Sequence, residues 1–187
     1  MYFNAVTIQR FAHRLHRWHV PLIPRLLDGL IMLIFNSTIP HTAEIGRHTR
    51  CVHRAMSVGI HQNAVIGERV FIGLRVTVGG RAQAVGPPVV EDDVFIGTNA
   101  ILQCERIGKG AIIGAGSVVL EDVPPGGVVA GNPAKLIKIT DTPYWAQKPT
   151  KFRAKDGSWT EDAAEEAVEV VVKEAELTGV PVWRQHN

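Results

Sequence analysis

NAVIGERVFIGLRVTVGG (residues 63–80), VFIGTNAIL (94–102) and IGKGAIIGAGSVV (107–119) carry an aliphatic residue every six positions, most often with glycine directly after it. The hexads start at Ile39, Ile45, Ile60, Ile66, Ile72, Val90, Ile96, Ile107 and Ile113. A small or branched residue often stands four positions further on, as at Val70, Val76, Val94, Ala100, Ala111 and Ser117. A six-residue period is neither the 3.6 of a helix nor the 2 of an alternating strand. It suits a short strand plus a corner: the aliphatic side chain points inward, and glycine follows where a Cβ would crowd the bend. One hexad buries too little to be stable, whereas stacked coils bury a continuous Ile/Val column, which is the logic of a parallel β-helix. Three sides per turn gives a prism of roughly five or six coils. Ordinary hairpins are disfavoured because Asn-Gly and Asp-Gly turns are missing. The repeat does not fix the hand of the coil, and the general crossover rule favours right-handed connections.

The interruptions are as informative as the repeat, because insertions in a solenoid emerge on one face and often build the site. From Cys51 to Ile60 the spacing is nine, and this irregular coil carries His53. From Val78 to Val90 it is twelve, broken by Gly79, Gly80, Gly86, Pro87 and Pro88. From Leu102 to Ile107 it is five, a one-residue deletion.

Outside the repeat the composition changes. Of 18 glycines, 15 lie between Ile39 and Ile139, and all four tryptophans lie outside that span. This divides the 187 residues into an N-terminal helical arm (1–38), a β-helix (39–139) and a C-terminal extension (140–187) with net charges of +3, +2 and −3. In the first arm Phe11, Leu15, Trp18 and Leu22 stand at helical spacing with Arg10, Arg14 and Arg17 between them, and Leu26–Phe35 is an apolar run too short to span a bilayer. Packing of this helix on the body or on a neighbouring subunit is the plainer expectation; peripheral contact with a membrane surface is the sharper one. In the extension, Ser158 with Glu161 three residues later, and Gly179 with Pro181, bracket a helix at about 160–178. A total charge of +2 leaves no broad footprint for nucleic acid. Two cysteines without metal-type spacing, and no legible signal peptide, point to a reducing cytoplasmic setting, at most peripheral at the inner face of the membrane.

The run IPHTAEIGRHTRCVH (39–53), the hexads of 63–80 and 94–102, and IGKGAIIGAGSVVLEDVPPGGVVAGNPAKLI (107–137) together resemble the hexapeptide-repeat acyltransferases, in the branch that holds serine acetyltransferases and polysaccharide O-acetyltransferases. The resemblance covers about residues 37–139 and ends on a specific signature. It implies a left-handed β-helix, a homotrimer with sites between subunits, and acetyl-CoA as co-substrate, with no metal. It places the catalytic base on His53, eight residues after Ile45. An imidazole suits the task, because a hydroxyl attacking a thioester must lose a proton near neutral pH. It also places cofactor-binding positions on Gly79, Gly80, Thr98, Ala115 and Lys135: backbone amides for the thioester oxygen and the pantetheine arm, and a cation for phosphate.

The departures bear on the acceptor. Thr38 stands where serine acetyltransferases carry the aspartate that pairs with the base, Val52 replaces the Asp before it, and Val85-Gly86 replaces an Arg-His pair. Glu44 is a conceivable substitute for the orienting carboxylate. With those charges gone, free serine has less to hold it. The expected activity is therefore O-acetylation of a hydroxyl on a sugar of a polysaccharide or its precursor, with serine O-acetylation as the alternative. The chain between His53 and Ile66 is one residue longer than the family norm, which leaves His48 and His61 as fallback bases. The tail lacks the terminal isoleucine through which serine acetyltransferases engage their sulfhydrylase, so that complex is not expected. Two further classes share the architecture: a zinc hydratase like the gamma carbonic anhydrases, suggested by the His48-x4-His53 spacing, and a non-catalytic scaffold.

Overall fold

The computed structural model describes residues 4–80, 86–144, 152–153 and 159–160. Two units are distinguished, Met1–Asp141 and Thr142–Asn187.

In the first unit two-residue strands wind into a left-handed parallel β-helix of four complete coils. The first coil holds β1 (Glu44–Ile45), β2 (Arg50–Cys51) and β3 (Gly59–Ile60); the second β4 (Val65–Ile66), β5 (Phe71–Ile72) and β6 (Thr77–Val78). The third holds β7 (Val89–Val90), β8 (Phe95–Ile96) and β9 (Ile101–Leu102); the fourth β10 (Arg106–Ile107), β11 (Ile112–Ile113) and β12 (Val118–Val119). Equivalent strands pair in parallel to make three faces, ordered β1-β4-β7-β10, β2-β5-β8-β11 and β3-β6-β9-β12. Single bridges, Thr38 to Gly59 and Ile107 to Val123, add a part-coil at each end. Thr38, Val123 and the strand that follows Val123 give each face a fifth rung, so five coils' worth of rungs stack, within the five or six expected from chain length. At the C-terminal end β13 (Gly127–Gly131) adds a fifth rung in parallel on β11, and β14 (Ala134–Ile139) folds back on it as an antiparallel hairpin.

Hexad leaders Ile39, Ile60, Ile66, Ile72, Ile96, Ile107 and Ile113 form the buried axis, with the small fifth residues Val70, Val76, Ala100 and Ser117 filling the corners. The reason for glycine at the second position is inter-coil distance. A Cβ on Gly97 would lie 2.5 Å from the amide nitrogen of Ala115 in the coil above. The left-handed backbone belongs instead to the fourth hexad position, as at Arg75 and Asn99, where the chain reverses.

The N-terminal arm is a helical hairpin, α1 (Ala5–Arg17) and α2 (Ile23–Phe35). In this β-helix adjoining coils exchange backbone hydrogen bonds in both directions, as Gly46 N–H donates to Ile66 O (2.8 Å) and Arg69 N–H to Arg47 O (3.0 Å). The carbonyls of the lowest coil that face away from the second coil have no coil beneath them to donate, and buried ones need a partner. α1 supplies it: Gln9 Nε2 donates to Ala43 O (2.9 Å) and Pro40 O (3.2 Å), Arg10 Nη2 to Gly46 O (2.7 Å), and Asn4 Nδ2 to Cys51 O (3.3 Å). On α2, Asp28 accepts from the His41 backbone N–H (2.9 Å) and pairs with its ring Nδ1 (2.6 Å). The face of the arm that packs is not the Phe11, Leu15, Trp18, Leu22 stripe expected from sequence. Ala5, Val6, Gln9 and Ala12 are buried, whereas Phe11, Trp18 and Leu22 are exposed. Small side chains allow the helix to sit close against the end of the prism, which bulky aromatics would prevent.

In the second unit β15 (Phe152–Arg153) pairs antiparallel with β16 (Trp159–Thr160). Strand β16 occupies the first residue of the helix expected at 160–178, and the rest of that helix lies outside the described residues.

Candidate active site along one edge of the prism

The three faces meet at three edges, and the candidate residues distribute among them. Backbone hydrogen bonds trace the edge that follows β2. Val52 N–H donates to Ile72 O, Gly73 N–H to Ile96 O, Gly97 N–H to Ile113 O, and Gly114 N–H to Val129 O. On this edge His53 sits in the first coil, Leu74 and Arg75 in the second, Thr98 in the third and Ala115 in the fourth. Gly116 N–H donates to Thr98 O (2.8 Å), and Gly131 N–H reaches Ser117 Oγ (3.3 Å), which brings the β13–β14 hairpin tip over the same edge. Lys135, opposite Ala130 in that hairpin, completes the series. His53, Thr98, Ala115 and Lys135 therefore run in order up one edge and all are exposed. Five inter-strand steps of about 4.8 Å separate its ends by roughly 24 Å.

His53 occupies a one-turn 3-10 helix (His53–Ala55) in which three successive non-glycine residues have left-handed backbone: His53 (φ 49), Arg54 (φ 61) and Ala55 (φ 63). Such geometry costs energy at each residue and persists only where the surroundings hold it. The support is the buried Ser37, whose hydroxyl donates to Ala55 O and accepts from Val58 N–H (3.1 Å). Ser57 N–H donates to Phe35 O at the end of α2 (3.0 Å). Sequence reasoning missed Ser37, since nothing in the hexad pattern marks a serine before the first repeat as a buried hub. Replacing it by alanine strands two buried backbone groups, a cost of about 1–3 kcal/mol. We expect Ser37→Ala to lower kcat at temperatures well below its Tm, with KM for acetyl-CoA little changed; the same kcat in both proteins would make Ser37 structural only.

Gly79 and Gly80 lie on the next edge, after β6, and not with His53. The Gly79 N–H donates to Leu102 O (2.9 Å), so of the expected pair of amides for the thioester oxygen only that of Gly80 is left. A Cβ on Gly80 would stand 3.8 Å from Cδ2 of His61, so this fallback base shares the edge. Its Nδ1 accepts from Asn63 N–H (3.2 Å), which leaves the proton of the neutral ring on Nε2. His48, at a left-handed fourth position (φ 61), is on the third edge. The three histidines thus occupy three different edges. This separates the His48–His53 pair behind the zinc reading, and among the described residues no group of three or more His, Cys, Asp or Glu is placed to hold a metal.

No carboxylate among the described residues is bonded to the His53 ring. Glu44, the conceivable orienting partner, is on β1 and lines a cavity of about 1130 Å³ between α1 and the β1/β4 face, away from the His53 edge. That cavity is dominated by cations, Arg10, Arg14, Arg17 and Arg47, and holds no member of the cofactor series. Thr38 pairs with Gly59 at the foot of the β3 face. Val85 and Arg81 lie outside the described residues, while Gly86 is exposed. Neither cysteine is a nucleophile: burial pushes the Cys51 thiol up to about 12 against the opposing pull of Arg10, and burial with the charge of Asp122 pushes Cys104 up to about 12.

Residues 63–80 and 87–121 match the family model described as the hexapeptide repeat of succinyl-transferase. Serine acetyltransferase 4 of Arabidopsis thaliana is 39% identical over 142 residues, which cover 74% of this chain and 40% of that protein. The solved structure of soybean serine acetyltransferase complexed with serine superposes with a TM-score of 0.65 at 39% identity, covering 71% of this chain and 56% of that one. A serine acetyltransferase in complex with CoA superposes with a TM-score of 0.64 at 30% identity, covering 71% and 55%. The chain spans about half the length of these relatives.

Proposed function

The chain belongs to the hexapeptide-repeat acyltransferase superfamily, and from that premise we propose that it transfers an acetyl group from acetyl-CoA to a hydroxyl, with serine as the acceptor its relatives favour. The observation that carries this reading is the single edge on which a histidine, two turn positions and a lysine follow one another. It suits a cofactor laid along the prism with its thioester at His53 and its phosphates toward Lys135.

In this reading the His53 imidazole takes the hydroxyl proton as the oxygen attacks the thioester carbonyl. A C–O bond forms, the carbonyl oxygen gains negative charge, and a backbone N–H stabilises it. The C–S bond then breaks, and the thiolate of CoA recovers the proton from the imidazolium. The thioester passes its acetyl group directly, because both cysteines are buried thiols. A fully exposed edge does not exclude water, so a second wall is needed. A neighbouring copy can supply it with the Gly80–His61 edge, and we include a homotrimer in the proposal.

The glycan acceptor expected from the sequence has less support than serine, since the relatives include serine acetyltransferases, one of them described with serine bound. One observation keeps it as a second reading: no carboxylate meets His53, and Thr38 holds the position of the family's aspartate. Initial rates of CoA thiol release, with serine and a panel of neutral sugars as acceptors, decide between them. Serine turnover is the expected outcome. Turnover of sugars alone would transfer the reading to the glycan class, and absence of saturable CoA binding would leave only a scaffold.

A further inference from the structure

The side of the α1–α2 hairpin opposite its buried stripe has no partner among the described residues. Along α1, Thr7, Phe11, Arg14 and Trp18 follow one another at helical spacing, opposite the buried Ala5, Gln9 and Ala12. Along α2, Leu22, Leu26, Gly29 and Leu33 do the same, opposite the buried Pro24, Ile31 and Phe35. Leu33 is 83% exposed, Leu26 71% and Trp18 66%. Both buried stripes contribute to the cluster that packs on the first coil, so the leucines of α2 and Phe11 of α1 point outward from the end of the prism, while Arg14 and Trp18 border the cavity on the flank of α1. An apolar face of this extent is unusual on a soluble surface and marks an interaction site.

We propose that this face lies on an anionic membrane surface. Charge decides the occupant. Asp28 is the only acid among residues 1–38, and its carboxylate is taken up by His41. The other formal charges of the hairpin are arginines: Arg25 on α2, and Arg10, Arg14 and Arg17 on α1, all three of which border the basic cavity. Leucines facing the acyl boundary, a tryptophan at headgroup depth and a fringe of arginines for lipid phosphates make an in-plane amphipathic pair. No helix among the described residues is long and apolar enough to cross a membrane, so the hairpin lies on the surface. A second copy of the chain fits less well, because a two-fold contact through this face would set the arginine fringes against each other. The proposal is independent of the acyl-transfer reading, since none of these residues is on the His53 edge.

The test is co-sedimentation of the full chain with phosphatidylcholine vesicles made with and without phosphatidylglycerol. Binding should require the anionic lipid, fall on raising salt to about 0.5 M, and drop by about tenfold or more in Arg14→Glu/Arg17→Glu. Leu26→Glu/Leu33→Glu places charge only where water already reaches, and should abolish binding while leaving acetyl transfer in solution unchanged. A blue shift of Trp18 fluorescence, absent in Trp18→Phe, should accompany binding. Equal binding to neutral and anionic vesicles, or none to either, overturns the proposal. So does a Leu26→Glu/Leu33→Glu variant that dissociates in analytical ultracentrifugation yet still binds vesicles, which would assign the face to a second copy.

Discussion

Acetyl transfer by His53→Ala should fall by about 10²- to 10⁴-fold in kcat, the usual contribution of a positioned general base. The affinity for CoA should change little, because the proposed pose puts the thioester at the imidazole and the phosphates at the other end of the edge, beside Lys135. Its exposed ring makes no hydrogen bond to another described side chain, so the substitution leaves no buried group unpaired and the variant should fold normally. Release of CoA thiol under saturating acceptor gives kcat, and equilibrium binding of CoA gives the affinity. His61→Ala and His48→Ala are the informative comparisons, since each lies on another edge. If His53→Ala turns over at the wild-type rate and His61→Ala does not, the base belongs to the Gly80 edge and the one-residue insertion after His53 has displaced the family's register.

Gly97→Val should be among the most destabilising single changes in the β-helix. The Cβ alone would stand 2.5 Å from the Ala115 nitrogen and 2.8 Å from its Cα, both backbone atoms of the adjoining coil. The two branches of valine add to that overlap, and the rung cannot shift without breaking the ladder from Gly97 N–H to Ile113 O. Overpacking of a rigid interior costs about 1–3 kcal/mol, and a backbone clash belongs at the top of that range or above it. In a domain of this size that corresponds to a Tm lowered by roughly 6–12 °C. Gly86→Ala is the control, because a Cβ there meets nothing within 4 Å and its Tm should stay near that of wild type. Equal thermal shifts for the two variants would remove inter-coil distance as the reason for the glycine column.

The solenoid was legible because its cause is periodic: an inward aliphatic side chain every six residues is both the sequence signal and the structural axis. Which residues share an edge was only partly legible. One regular coil is eighteen residues, and His61 precedes Gly79 by that interval, so their proximity could have been read by counting. The His53 edge resists counting. Successive donors at 52, 73, 97 and 114 are 21, 24 and 17 residues apart, because each irregularity in the chain shifts the register. Only the hydrogen bonds reveal that Thr98 and Ala115 stand above His53. The choice of α1 face failed for a different reason. Hydrophobicity pointed to Phe11 and Trp18, but the end of a β-helix leaves backbone groups without a neighbouring coil, carbonyls among them, and a close-packed helix bearing Gln9, Arg10 and Asn4 answers those carbonyls better than a greasy one. The His41–Asp28 pair escaped notice because its partners come from opposite sides of the arm–body junction.

The way α1 closes the first coil has a consequence for how this molecule stays separate from its neighbours. A parallel ladder with an uncovered terminal row of donors and acceptors is half of an intermolecular sheet, waiting for any extended strand. Gln9, Arg10 and Asn4 are thus a plug against fibre growth as well as a source of stability, and loss of the first helix would leave a column able to extend itself chain upon chain.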